Sequence, residues 1–146
     1  MTATTAQSTQ VYSIFIKATP EQVWDAITKP EFTQKYFHDS RLDFTNGYRS
    51  VAGDGRLLVS GELFELDPPR RLVHGWRSHW DDRLAAEPES RVTWEIEPRD
   101  DGTSLLTVTH DRLEDSPLTA ATLAGGWMLV LNGLKALVET GEAVSS

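Results

Sequence analysis

Four histidines, at positions 38, 74, 79 and 110, are the side chains of this chain best suited to acid–base or metal chemistry near neutral pH. They are dispersed, without the HxxxH or HxH spacing of a metal site, and the chain has no cysteine to support them. We therefore expect no metal and no cofactor. The lack of cysteine also excludes disulfides and a thiolate nucleophile.

His110 is the histidine with the most informative surroundings. It ends the run SLLTVTH and shares a predicted strand face with Leu106 and Val108. On an inner face it could orient a ligand or act as an acid or base. The alternative is a buried histidine satisfied by the backbone, which is the commoner state of buried polar groups. The sequence leaves both interpretations open.

Five tryptophans in 146 residues indicate a large aromatic interior or a cavity lined with rings. Trp76 lies two residues after His74 on one predicted strand face, and Trp94 lies between Val92 and Ile96 on another. As cavity lining, these rings would offer flat apolar area to a planar ligand. As core, they would fill the space between sheet and helix, which is the favoured interpretation for Trp94 because its neighbours share its face.

Other familiar catalytic or ion-binding patterns are missing from the sequence. No GxSxG elbow occurs, and GDG at 53–55 lacks the lysine and helix of a phosphate-binding loop. The acidic segment 81–89 does not have the spacing of a calcium loop, and we interpret it as a solvated loop. No residue is predicted to be catalytic on these grounds.

The overall charge and hydropathy narrow the possible partners. A formal net charge of −8 argues against binding to nucleic acid or to anionic lipid. No run approaches the ~20 apolar residues of a membrane span, and the opening MTATTAQSTQ does not resemble a secretory signal. We expect a cytoplasmic protein with a disordered tail at residues 1–9.

The first half of the chain begins with one strand and two helices. Residues 11–17, VYSIFIK, are rich in β-branched and aromatic residues and predict a strand. A helix follows, with Thr19 as N-cap, Pro20 at its first position and Gln22 completing a capping box. A second short helix is predicted from Pro30, and its signals stop near His38.

Residues 41–110 then change to short strand-like runs separated by turns, a pattern typical of an antiparallel meander. The runs are RLDF, YRSV, LLVSGELFELD, RLVHGWRSHW, SRVTWEIEP and SLLTVTHDRL. After Pro117 the spacing becomes helical and predicts one long C-terminal helix with Gly141 as its C-cap. The apolar face of that helix contains Trp127, Val130, Leu131, Leu134 and Val138.

The order of these elements, with the segments GELFELDPPRRLVHGW, RVTWEIEP, DGTSLLTVTH and GGWMLVLNGLKALVETG, resembles the activator of heat shock protein 90 ATPase homologue family. That family belongs to the START-like, or SRPBCC, superfamily. The resemblance covers residues 10–142 as one domain. It implies an α+β helix-grip fold, in which a curved antiparallel sheet of about six or seven strands wraps around a long C-terminal helix, with two short helices after the first strand.

The resemblance also implies a hydrophobic cavity between sheet and helix. Gly125, Gly126 and Gly133 would then let the helix approach the sheet or leave room for a ligand, unless the first two merely end a loop. The segment KYFHDS departs from the Trp-Phe pair of many relatives. The expected ligand-binding residues are Phe37, His38, Phe64, His74, Trp76, Trp94, His110 and Trp127.

Three functions are compatible with this resemblance. The first is non-enzymatic binding of a small hydrophobic molecule, aromatic or lipid-like. The second is a polyketide cyclase or aromatase activity that uses a cavity histidine as acid or base. The third is a stress-response role with a chaperone as protein partner, for which the negative charge would suit a basic docking surface. Either a monomer or a homodimer is consistent with the sequence.

Overall fold

The computed structural model describes residues 8–36 and 40–140, which form eight strands and five helices. Most of the predicted tail and the candidate C-cap Gly141 lie outside the described residues. In chain order the elements are β1 (Gln10–Ile16), α1 (Pro20–Thr28), α2 (Pro30–Tyr36), β2 (Ser40–Asp43), β3 (Tyr48–Ala52), β4 (Leu57–Gly61), β5 (Leu63–Asp67), β6 (Arg71–Ser78), α3 (Asp82–Ala85), β7 (Ser90–Pro98), β8 (Ser104–Asp111), α4 (Pro117–Ala124) and α5 (Gly126–Thr140).

Local chemistry at the start of α1 is as the sequence predicts. The Gln22 amide donates to Thr19 Oγ1 at 3.2 Å, and the Thr19 amide donates to Gln22 Oε1 at 2.9 Å. This reciprocal capping box satisfies two amide groups that the helix itself cannot satisfy. Val23 and Ile27 on the same helix are buried in the core.

The sheet is antiparallel, with strand order β1-β8-β7-β6-β4-β3-β2, and β5 also pairs with β6. The α+β prediction is confirmed, but the predicted single strand LLVSGELFELD is two strands that separate at Glu62. A Cβ on Gly61 would lie 1.9 Å from the carbonyl oxygen of Gly75, so the two backbones cross very closely there. At that crossing β6 changes its partner from β5 to β4.

Alternation along the central strands separates the core face from the outer face, as predicted. Side chains at alternate positions of β7 and β8 are buried, whereas β6 is buried continuously from Leu72 to Trp76. On the outer face Arg71 forms ion pairs with Glu65 and Glu95 at 3.1 and 2.8 Å. These pairs are solvent-exposed, so we assign them little stabilisation.

The predicted long C-terminal helix is confirmed as α5, but the helical segment that begins at Pro117 is divided in two. It consists of α4 and α5, which are bent by 42° at a break next to Gly125. A Cβ on Gly125 or Gly126 would meet no atom within 4 Å, so these glycines do not bring the helix close to the sheet. A Cβ on Gly133 would lie 3.4 Å from Tyr36 Cβ, which shows that α5 approaches α2.

The acidic segment also has more structure than predicted. Residues Asp82–Ala85 form α3, and Leu84 is buried. The Glu87 carboxylate accepts hydrogen bonds from the amides of Leu118 and Thr119 at 2.9 and 2.7 Å. It therefore caps the start of α4, where Ser116 makes no side-chain capping bond.

In the described part of the chain, no helix is individually long and apolar enough to cross a bilayer, and α4 with α5 meets the requirement only as a bent pair.

Candidate functional site

A cavity of about 520 Å³ lies between the bend of the C-terminal helices and strands β2, β3, β4 and β6. Its position follows from the 42° bend, since α4 and α5 each contribute residues to its wall. It is lined by Ser40, Ser50, Arg56, Leu58, Val59, Trp76, Trp80, Thr122, Leu123, Gly126, Trp127 and Val130.

Trp76 and Trp127 form the aromatic part of this wall. Their ring centroids are 5.4 Å apart at an interplanar angle of 59°. Trp76 Nε1 donates to Ser78 Oγ at 3.0 Å, and Trp127 Nε1 donates to His110 Nδ1 at 3.2 Å. Both indole N–H groups are thus satisfied within the protein, and the rings offer the cavity mainly apolar surface.

The polar part of the wall comes from strands β2 and β3 and from the β3–β4 turn. Ser40 is buried, and its Oγ has no hydrogen-bond partner among residues 8–36 and 40–140. Arg56 is largely exposed, and its Nε donates to Asp54 Oδ2 at 2.8 Å. Trp80 is 46% exposed, so it is the most accessible aromatic side chain of the lining.

His74 is fully buried, and both of its ring nitrogens are engaged. Nε2 accepts from Trp94 Nε1 at 3.0 Å, which leaves Nδ1 as the donor to the Gly75 carbonyl at 2.8 Å. Tyr48 stacks on the imidazole with centroids 3.5 Å apart. Burial lowers the pKa of His74 to about 3, against the opposing effect of the Gly75 hydrogen bond. The imidazole is therefore neutral at physiological pH.

His110 has a similar arrangement at the end of β8. Its Nδ1 must accept, because an indole N–H can only donate, so Nε2 carries the proton and donates to Ser90 Oγ at 2.7 Å. Ser90 Oγ in turn donates to the Trp76 carbonyl at 3.3 Å. Burial lowers the pKa of His110 to about 4 despite the nearby Asp111 carboxylate. This histidine is satisfied mainly by side chains rather than by the backbone.

Comparison with known families decides the classification. Residues 17–139 match the family described as Activator of Hsp90 ATPase homolog 1-like protein. This chain belongs to that family. No protein of curated function matches the sequence at a significant level.

Several solved structures share the fold of this chain. CalU16 from Micromonospora echinospora is 21% identical with a TM-score of 0.70, over 91% of this chain and 77% of that protein. The Aha1 dimer from Colwellia psychrerythraea is 17% identical with a TM-score of 0.73, over 94% and 100%. DynU16, from the dynemicin biosynthetic locus, is 25% identical with a TM-score of 0.75, but this chain covers only 49% of it.

The structure of this family member brings only some of the predicted site residues to the cavity. Trp76 and Trp127 line it. His74, Trp94 and His110 are buried in the core and are not part of the lining. Phe64 is 45% exposed, has the Arg112 guanidinium 5.9 Å from its ring, and also lies outside the lining. Phe37 and His38 lie outside the described residues.

Sequence reasoning missed the polar residues of the cavity. Ser40 and Ser50 lie at alternating inward positions of short strands, and nothing in their local sequence distinguishes them from other serines. Arg56 directly follows GDG at 53–55, and the sequence of this turn does not indicate that the arginine faces a cavity. Within residues 8–36 and 40–140, no three histidine, aspartate or glutamate side chains come together as a metal site.

Proposed function

We propose that this protein binds a small, mainly apolar molecule in the cavity between the sheet and the bent C-terminal helices, without transforming it. The cavity of about 520 Å³ is the observation that supports the proposal. Well-packed interiors leave few voids larger than a water molecule, whereas sites for small molecules typically measure ~300–1,000 Å³.

The chemistry of the lining favours binding over acid–base catalysis. In the described part of the wall, Arg56 is the ionisable side chain. His74 and His110, which a cyclase-like mechanism would recruit, are neutral and already hydrogen-bonded through both ring nitrogens. A general base must reach the proton it removes, and neither histidine belongs to the cavity wall.

The test combines native mass spectrometry of the purified protein with titration of the apolar fluorophore N-phenyl-1-naphthylamine. We expect a co-purifying small molecule or saturable binding of the fluorophore with one site per chain. Leu123→Trp should block the cavity because Leu123 lines it. The matched control is Leu129→Trp, at a position that is 74% exposed on α5 and outside the lining.

Loss of binding in Leu123→Trp and its retention in Leu129→Trp would support the proposed site. Binding that is equal in both variants would place the fluorophore elsewhere on the protein. The absence of a co-purifying molecule together with no saturable binding in the parent protein would contradict the proposal.

The second candidate function is binding to a protein partner. The family to which the chain belongs and its similarity to the Aha1 dimer are compatible with either a homodimer or such a partner. One further neighbour is described as an HSP90 activator from Plasmodium falciparum, at 18% identity and a TM-score of 0.68. We propose light scattering for the oligomeric state and the ATPase rate of a bacterial Hsp90 as the test of activation. An unchanged ATPase rate would remove this candidate.

A further inference from the structure

We propose that the cavity selects carboxylic acids, with the ligand carboxylate held between Ser40 and Arg56 and its apolar body against Trp76 and Trp127. This inference rests on the proposed binding function and specifies the class of ligand. A carboxylate on an aromatic or aliphatic body combines the two kinds of surface that the cavity wall presents.

Ser40 is the first observation that points to a polar ligand group. The residue is 1% exposed, it lines the cavity, and its Oγ has no hydrogen-bond partner in the described chain. Its backbone carbonyl is already used, because Thr33 Oγ1 donates to it at 2.8 Å. Buried hydroxyl groups are normally hydrogen-bonded, so this one is available to donate to a ligand oxygen.

The strand register brings Arg56 to the same end of the cavity. Ser40 is paired with Ala52 across β2 and β3, and the Ala52 amide donates to the Arg56 carbonyl at 2.8 Å. Three adjacent backbones spaced by ~4.8 Å place Ser40 and Arg56 roughly 10 Å apart. Both residues line the cavity, so a ligand carboxylate that lies between them can accept hydrogen bonds from Ser40 on one side and from Arg56 on the other.

Arg56 supplies the charge at this end. Asp54 accepts a hydrogen bond from its Nε, and no other described residue bonds to its two terminal amino groups. Those groups can donate to a ligand carboxylate while Nε keeps its contact with Asp54. A positively charged group therefore stands at the mouth of a cavity in a protein whose net charge is −8.

The experiment compares 2-naphthoic acid with 2-naphthamide by isothermal titration calorimetry at neutral pH. The two probes share one ring system and differ in charge. We expect the acid to bind about tenfold more tightly than the amide. Hydrogen bonds to charged groups are stronger than those between neutral groups, and the difference corresponds to roughly a factor of ten in affinity. Arg56→Gln should abolish this preference, so that the acid and the amide bind with equal affinity.

Arg70→Gln is the matched control, because Arg70 has 73% side-chain exposure and pairs with Asp67 at a turn outside the lining. It should keep the preference for the acid. Ser40→Ala should weaken binding of the acid about fivefold, consistent with the loss of one hydrogen bond. Raising the salt concentration should weaken binding of the acid but not of the amide, which provides a measurement that needs no variant.

The outcomes separate this inference from the function on which it rests. Equal affinity for acid and amide, or a preference that persists in Arg56→Gln, would overturn carboxylate selection while cavity binding stands. If neither naphthyl probe nor the neutral fluorophore binds, the proposed function fails and this inference fails with it.

Discussion

Trp127 Nε1 donates a hydrogen bond to His110 Nδ1 at 3.2 Å, and this bond joins helix α5 to the end of strand β8. Both side chains are buried, and the two rings meet edge to face with centroids 5.9 Å apart. The bond determines which nitrogen of His110 carries its proton. It also holds the aromatic wall of the cavity in place, because Trp127 lines that wall.

Replacement of Trp127 by alanine should lower the free energy of unfolding by roughly 3 kcal/mol or more, because it creates a void in the core. Urea denaturation measures the effect. Leu129→Ala, at a position 74% exposed on the same helix, should change stability by less than about 0.5 kcal/mol. Equal midpoints for Trp127→Ala and the parent protein would show that α5 does not pack as described.

Acid should destabilise the fold before most carboxylates titrate. The pKa values of His74 and His110 are lowered from 6.5 to about 3 and about 4, so below pH 6.5 the unfolded chain binds more protons than the folded protein. Stability should therefore fall as pH decreases from 6.5, by up to about 1.4 kcal/mol per pH unit for each histidine. Urea midpoints between pH 6.5 and 5 measure this slope.

His110→Gln tests the assignment of that slope. Glutamine can accept from Trp127 and donate to Ser90, but it does not titrate. The variant should lose about half of the pH dependence, whatever its absolute stability. His79→Gln is the control, because His79 is only partly buried and burial lowers its pKa by a smaller amount than that of His110. A slope unchanged in His110→Gln would argue against a neutral, buried His110.

Glycines at two different sites should respond to alanine in opposite ways. A Cβ on Gly61 would collide with the Gly75 carbonyl oxygen, which is backbone and cannot swing away. Gly61→Ala should lower the free energy of unfolding by about 2–3 kcal/mol. A Cβ on Gly125 would meet no atom within 4 Å, and its φ of −87° is open to alanine, so Gly125→Ala should raise stability by up to about 1 kcal/mol.

Thermal unfolding of the two glycine variants provides the comparison. A loss of stability in Gly125→Ala would mean that the bend between α4 and α5 needs glycine there, although its φ of −87° is one that alanine also adopts.

Glu87→Ala should destabilise the protein by about 1 kcal/mol, because the amides of Leu118 and Thr119 lose their acceptor at the start of α4. Burial alone would raise the pKa of Glu87, but those hydrogen bonds outweigh it and the pKa lies below its ordinary value. This contribution is present above the ordinary glutamate pKa and should be lost as pH falls below it.

Chemical denaturation at neutral pH measures the effect of Glu87, with Glu114→Ala as the control at an exposed position before the same helix. If both variants have the same stability, the Glu87 carboxylate does not act as a cap.

Local patterns in the sequence were sufficient for much of the fold. The capping box at Thr19 involves residues three apart, and the alternation along β7 and β8 depends on a repeat of two, so neighbouring residues contain the necessary information. The sequence did not predict the division of β4 from β5 at Glu62 or the bend between α4 and α5 at Gly125. The split involves a close crossing with Gly75, a residue of another strand, and the bend has no local glycine-specific dihedral.

By itself, the sequence determined the family, the inward faces of the strands and the presence of an aromatic interior. Only the tertiary structure decided which aromatic side chains fill the core and which reach a cavity. His74 and Trp76 share one strand face, yet the bend of the C-terminal helices leaves space only beside Trp76. Ser40 and Arg56 reach the same end of the cavity through strand register, a long-range property that no local spacing in the sequence encodes.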